Sequence, residues 1–316
     1  MRGPEVSFRL NTLLDFFYLL ASRDPRGFEG VGRLLERLPE CPADVAPELF
    51  AWKDIEDYPD LVRAAGTESQ GNEAWRCLAQ ILRDSEPLYQ EFLVGWRKEL
   101  EPAARHALER WREDFCSRQP LDCIQRLLRK PYPYEALTIY SAPLNPTMSY
   151  SPGHGEIFCG SRNRADGSLA VNAGIALFIG HEVCHILLEE SAPPFSNHPR
   201  FAQLMRRWQQ EYPTLECPWS GIPEECCHVV MNRVAADTGE MAAAEMRKMM
   251  PAGPWADCPL YDVLQRRWHD FQENACRWPT INEFLIDCAF ECLSMGEPSE
   301  RADNNGLHRR NPSSEV

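Results

Sequence analysis

The apolar run 175–188 carries the sequence Gly180-His181-Glu182-Val183-Cys184-His185-Ile186-Leu187. Its length and its lack of strand alternation read as one buried helix. A buried helix that holds two imidazoles and a carboxylate must give them partners, because burying polar groups without partners is costly. His181 and His185 stand four residues apart, on one helical face, so both can reach a single metal ion. Glu182 is rotated by about 100° from His181, which lets it stand beside a water on that ion. With 8 His in the chain, the H-E-x-x-H pattern arises by chance in roughly one or two such chains per hundred.

The rest of the composition narrows the classes. A chain of 316 residues, 44% hydrophobic, can bury a core in one large domain or two. The formal net charge is −14, with 47 acidic residues and no basic block, which argues against a nucleic-acid partner. No stretch approaches the length of an apolar membrane span, and no membrane association is expected. The early run 13–20 is interrupted by Asp15 and reads as an amphipathic helix rather than a signal peptide. Thirteen cysteines are scattered without a C-x-x-C pair. They read as buried thiols of a cytoplasmic protein, and Cys226-Cys227 as helix core.

Residues 6–131 read as helical, with breaks expected near Ser85-Glu86-Pro87 and near Glu101-Pro102. The pattern changes at Lys130-Pro131-Tyr132-Pro133, where the β-like runs 137–140, 155–160 and 168–171 follow, separated by turn signals. They predict a small antiparallel sheet feeding the 175–188 helix. Helices resume at 198–211, 223–250, 259–274 and 280–294. The expected class is α+β and mostly helical, divided into a helical N-terminal region 1–133, a catalytic domain 134–296 and a disordered tail 297–316. His106, His154 and His198 read as surface residues. The run 156–159 is either a plain sheet strand or an edge that pairs with an extended substrate.

A catalytic zinc site takes three protein ligands and an open position. Glu189 lies on nearly the same face as His185 but some 9 Å along the axis from the midpoint of the two histidines, by the helical rise. It reads as support for a ligand, a substrate contact or a solvated helix end. The segment 221–232 offers a better third ligand. Pro223 suits a first helical position, which places Glu224 and Glu225 in the first turn. On a helical wheel Glu224 falls within the apolar face of Cys227, Val230, Met231, Val234 and Ala235, and Glu225 falls outside it. Glu224 is the preferred ligand and Glu225 the alternative.

His181, Glu182, His185 and Glu224 together resemble the gluzincin, thermolysin-like zinc metallopeptidases. The resemblance implies a zincin-type bundle of helices at the active site, with Zn2+ held by His181, His185 and Glu224. It also implies that Glu182 acts as general base toward a peptide or protein substrate. An oxyanion donor is expected from His228, His269, Tyr212 or Tyr261, with His228 the candidate catalytic residue. Asn232 and Asp237 are candidates to support His181. Region 1–133 would restrict access or recruit a protein partner. Two other readings remain: an inactive zinc-binding regulatory module, and a helical scaffold with a coincidental motif.

Overall fold

Asn11 sets where the chain first turns helical. The computed structural model describes residues 3–24, 28–43, 46–68, 73–145, 149–160, 175–211, 218–238 and 260–295. The Asn11 backbone is extended and its side-chain oxygen accepts from the Leu13 amide at 2.9 Å, which satisfies one of the orphan amides of a helix start. Helix α1 therefore covers Thr12–Ser22, and Glu5–Leu10 before it forms strand β1. The helical reading from residue 6 is corrected here. β1 pairs in parallel with β2, Ala136–Ser141, in register from Glu5↔Ala136 to Leu10↔Ser141, a partner that no local window of sequence contains.

Among the described residues, five further α-helices follow α1 in the connection: α2 Val31–Leu35, α3 Tyr58–Glu68, α4 Glu73–Glu99, α5 Glu101–Arg118 and α6 Pro120–Leu128. α4 runs straight through Pro87, where a break was expected. Its buried face, with Leu82, Leu88, Tyr89, Phe92 and Trp96, outweighs the backbone hydrogen bond lost at the proline. Nearby, the Ser85 hydroxyl donates to the Ile81 carbonyl at 2.7 Å. The expected break at 101–102 is present, with Pro102 in the first turn of α5.

Asp15, which interrupts the apolar run of α1, is fully buried. Its carboxylate accepts from the Trp96 indole at 2.8 Å and from the Leu144 amide at 2.7 Å. These charge-assisted bonds offset its desolvation and tie α1 to α4 and to the segment after β2.

β3, Ser149–Gly153, and β4, Glu156–Cys159, complete a four-stranded sheet in the order β1-β2-β4-β3. β2 and β4 are parallel, and β3 and β4 antiparallel. The expected antiparallel sheet is thus a mixed one: β2 and β4, which were expected to be antiparallel, lie parallel, and β1 adds a second parallel pair from far along the chain. β4 is paired on both sides, so the edge role considered for 156–159 does not hold; among the described strands β1 and β3 are the edges. The turn between β3 and β4 has positive φ at Gly153, His154 and Gly155. A Cβ on Gly155 would meet the Ala136 carbonyl at 2.6 Å, so this turn requires glycine. The expected strand 168–171 and the tail 297–316 lie outside the described residues.

The remaining α-helices among the described residues are α7 Ile175–Glu189, α8 Phe201–Glu211, α9 Pro218–Thr238, α10 Leu260–Glu273 and α11 Ile281–Met295. Two compact units divide the chain: residues 1–195 with 227–251, and residues 196–226 with 252–316. In the first, α7 packs on α5, α6, β3 and β4. In the second, α11 packs on α8 and α10, around Trp268, Phe271, Trp278 and Phe284. The fold is α+β and mostly helical. Among the described residues no helix is long and apolar enough to cross a membrane.

Candidate metal centre

α7 is buried at Ile179, Gly180, Glu182, Val183, Cys184, Ile186, Leu187 and Leu188. Phe178, His181, His185 and Glu189 are only partly buried and form one stripe at helical spacing. The helix is therefore core on most of its circumference and presents its imidazoles along a single line.

Its C-terminal end is held by a residue that sequence reasoning passed over. The buried Lys130 ammonium donates to the carbonyls of Leu188, Ser191 and Pro193 at 3.4, 3.2 and 3.0 Å. These include carbonyls that a helix end leaves without an intrahelical donor, and a cation there complements the helix dipole. Glu190, just beyond the helix, accepts from the Tyr134 hydroxyl and from the His154 amide, the latter at 2.9 Å. Burial first, and then Glu190, push the Tyr134 phenol up to about 12.

His181 and His185 turn Nε2 toward Nε2 at 3.2 Å. Two nitrogens about 2.1 Å from a shared zinc ion subtend about 100° at that separation, near the tetrahedral angle. Without an ion the same distance serves an N–H···N hydrogen bond. His185 Nδ1 lies 3.2 Å from Glu189 Oε1. A carboxylate only accepts, so Nδ1 is the donor in this contact, and in the neutral imidazole Nε2 then keeps its lone pair toward His181. Of the three roles considered for Glu189, this contact is compatible with the first, support of His185.

Glu182 is 8% exposed and lies near the thiol of Cys159, at the end of β4. Full burial, and then the Glu182 charge, push that thiol well above its ordinary value. The thiol is accordingly a neutral neighbour of the carboxylate.

Gly180 lets α9 approach α7. A Cβ there would lie 2.8 Å from Met231 Cε and 3.3 Å from Ile124 Cδ1. The approach brings the His228 ring to 5.7 Å from that of His181, centroid to centroid. α9 begins at Pro218, not at Pro223, so Glu224 and Glu225 lie beyond the first turn and the helix dipole does not account for them. α9 is also buried on nearly all sides from 221 to 235, Glu225 included at 7% exposed. The single apolar face read from the sequence is corrected on this point. Within that span Glu224, His228 and Arg233 are partly exposed, and the first two stand one turn apart.

Two sets of side chains place their ligand atoms within 4.8 Å of one another: His181, His185 and Cys227, and His181, Glu224 and His228. They meet at His181. The expected trio of His181, His185 and Glu224 is split between them, and Cys227 was read as core. A buried cysteine gives no sequence signal that separates these roles; its only hint was adjacency to His228. The boundary between the two compact units falls inside α9, between Cys226 and Cys227. One continuous helix therefore carries Glu224, Cys227 and His228.

The remaining candidates have other partners. His269 is exposed and pairs with Glu273 at 3.2 Å. The Tyr261 hydroxyl accepts from Gln265 at 2.9 Å. Asp237 is exposed and accepts from the Cys123 thiol at 3.7 Å. Asn232 is buried on α9. His106 and His154 are exposed, as expected, whereas His198 is partly buried and its Nδ1 accepts from the Arg200 amide at 3.2 Å. Tyr212 lies outside the described residues. The chain matches no protein-family model, no curated protein and no solved structure.

Proposed function

We propose that the chain is a zinc-dependent metallopeptidase of zincin type, with His181, His185 and Glu224 as ligands and Glu182 as general base. The reading is carried by the facing Nε2 atoms of His181 and His185 on a helix that also buries Glu182. The set of His181, Glu224 and His228, which leaves out His185, supports a carboxylate from α9 beside His181.

A bound zinc ion would polarise the scissile carbonyl and lower the pKa of the attacking water. The work of this chain lies around that event. The Glu182 carboxylate takes the proton of the attacking water and passes it to the leaving amine. His228, through a ring N–H, donates to the oxygen on which negative charge develops. The neutral thiol of Cys159 and the apolar flank of α7 exclude bulk water from Glu182. The substrate is a peptide or protein segment, and residues 1–133 control which segments reach the site or bind a partner that does. The free thiols of the described cysteines support a cytoplasmic setting for the reaction.

The test compares wild type with Glu182→Gln on a mixed peptide library, with zinc measured in both. The expected result is about one zinc ion per chain in each and a loss of cleavage of about 10²- to 10⁴-fold in the variant. Zinc bound equally with no cleavage by wild type would leave a zinc-binding module. Absence of zinc after refolding with the metal would end the reading.

A further inference from the structure

We infer that Cys227 is an additional metal ligand in the substrate-free protein, giving the centre a thiolate beside its two imidazoles. The inference rests on the reading that His181 and His185 share one ion.

Cys227, His181 and His185 are the set in which both facing imidazoles take part, with every ligand atom within 4.8 Å of the others. All three belong to the same compact unit. The thiol is fully buried, so an ion held there meets sulfur before it meets solvent. Two other buried thiols lie close in sequence and do not join the set. Cys184 stands between the two histidines on α7, about 300° around the helix from His181, and Cys226 precedes Cys227 by one position. Proximity along the chain therefore does not produce the grouping. The packing of α9 against α7 does: Met231, one turn beyond Cys227, meets α7 at Gly180, next to His181.

The exchange is balanced without an oxidant. A bond forms between Cys227 Sγ and the ion, the thiol proton passes to solvent, and one water leaves the ion. A nitrogen and sulfur donor set favours zinc-like ions over magnesium, calcium and manganese, which favour oxygen. Cys227 then holds a place that a reacting water or carbonyl needs, and peptide cleavage requires the sulfur to yield it.

The experiment loads the full-length chain with cobalt(II) and records its ultraviolet and visible spectra, for wild type, Cys227→Ser and Cys184→Ser. X-ray absorption of the zinc-loaded wild type accompanies it. The expected result is a sulfur-to-cobalt charge-transfer band in wild type and Cys184→Ser that is lost in Cys227→Ser. A sulfur scatterer is expected at about 2.3 Å from zinc. The zinc measurement on wild type holds even where Cys227→Ser fails to fold. A stoichiometric ion with only nitrogen and oxygen neighbours overturns the thiolate and leaves the peptidase reading standing, as does a band that survives Cys227→Ser. Failure to bind either ion overturns both.

Discussion

His185 and Glu189 meet one turn apart on α7, imidazole Nδ1 to carboxylate Oε1 at 3.2 Å. With Nδ1 donating in this contact, the nitrogen that keeps a lone pair in the neutral imidazole is the one that faces His181. A carboxylate behind a ligand imidazole also raises its basicity. Glu189→Gln keeps the size of the side chain and removes its charge. Its zinc affinity should fall by about 10- to 100-fold, measured by competition with a chromophoric chelator. Because Glu189 is partly exposed, the melting temperature of the metal-free protein should barely move. An unchanged affinity would show that Glu189 is only a solvated helix end.

Lys130 supports the same helix from its far end. Its ammonium donates to three carbonyls while buried. Lys130→Met fills the volume and offers no donor, so those carbonyls lose a charged partner in a site closed to water. The expected cost is about 1–3 kcal/mol of folding stability, read from urea denaturation of the metal-free protein. A cost near zero would mean that water replaces the ammonium.

These two contacts mark what the sequence could and could not disclose. His181, Glu182 and His185 were legible because helical spacing alone brings their side chains together. The preference for Glu224 over Glu225 came from a wheel that gave α9 one buried face. Burial does separate the two acids, but in the opposite sense: Glu225 is buried and Glu224 partly exposed. β1 was misread although Val6, Phe8 and Leu10 alternate with Ser7 and Arg9 as in a strand; the run is short, it leads directly into α1, and its partner β2 is remote. Lys130 was invisible because its partners are backbone carbonyls, which no side-chain pattern announces. Cys227 was hidden because a thiol in a core and a thiol facing imidazoles have the same sequence surroundings.

Asp287 gives the second compact unit an acid-sensitive contact. Burial alone would raise its carboxyl. The Trp278 indole at 3.0 Å and the Arg200 guanidinium at 2.7 Å more than offset that and hold it below its ordinary value. A carboxyl depressed by folding adds stability that is complete above its unfolded pKa, about 3.9, and is lost as pH falls through the lower folded value. Asp287→Asn should therefore be less stable than wild type by a constant amount between pH 5 and 7, with the two converging as acid protonates the native carboxyl. The gap should be small, since the side chain is 36% exposed. Denaturant unfolding at several pH values measures it, and a gap that widened in acid would refute the assignment.

Gly180 makes the last prediction, because it separates stability from site geometry. Gly180→Ala gains about 0.5–1 kcal/mol of helix propensity. It also places a Cβ 2.8 Å from Met231 Cε, the end of a flexible side chain, and 3.3 Å from Ile124 Cδ1. The methionine can turn aside, so the two effects nearly cancel and net stability should stay within about 1 kcal/mol of wild type. Gly180→Leu has no such escape. It must displace α9, should cost at least about 1–3 kcal/mol, and should weaken zinc binding because Cys227, Glu224 and His228 all move with that helix. Calorimetric melting with and without zinc tests the pair. If Gly180→Leu kept full zinc-dependent stabilisation, the ligands would all lie on α7, and α9 would have no part in holding the ion.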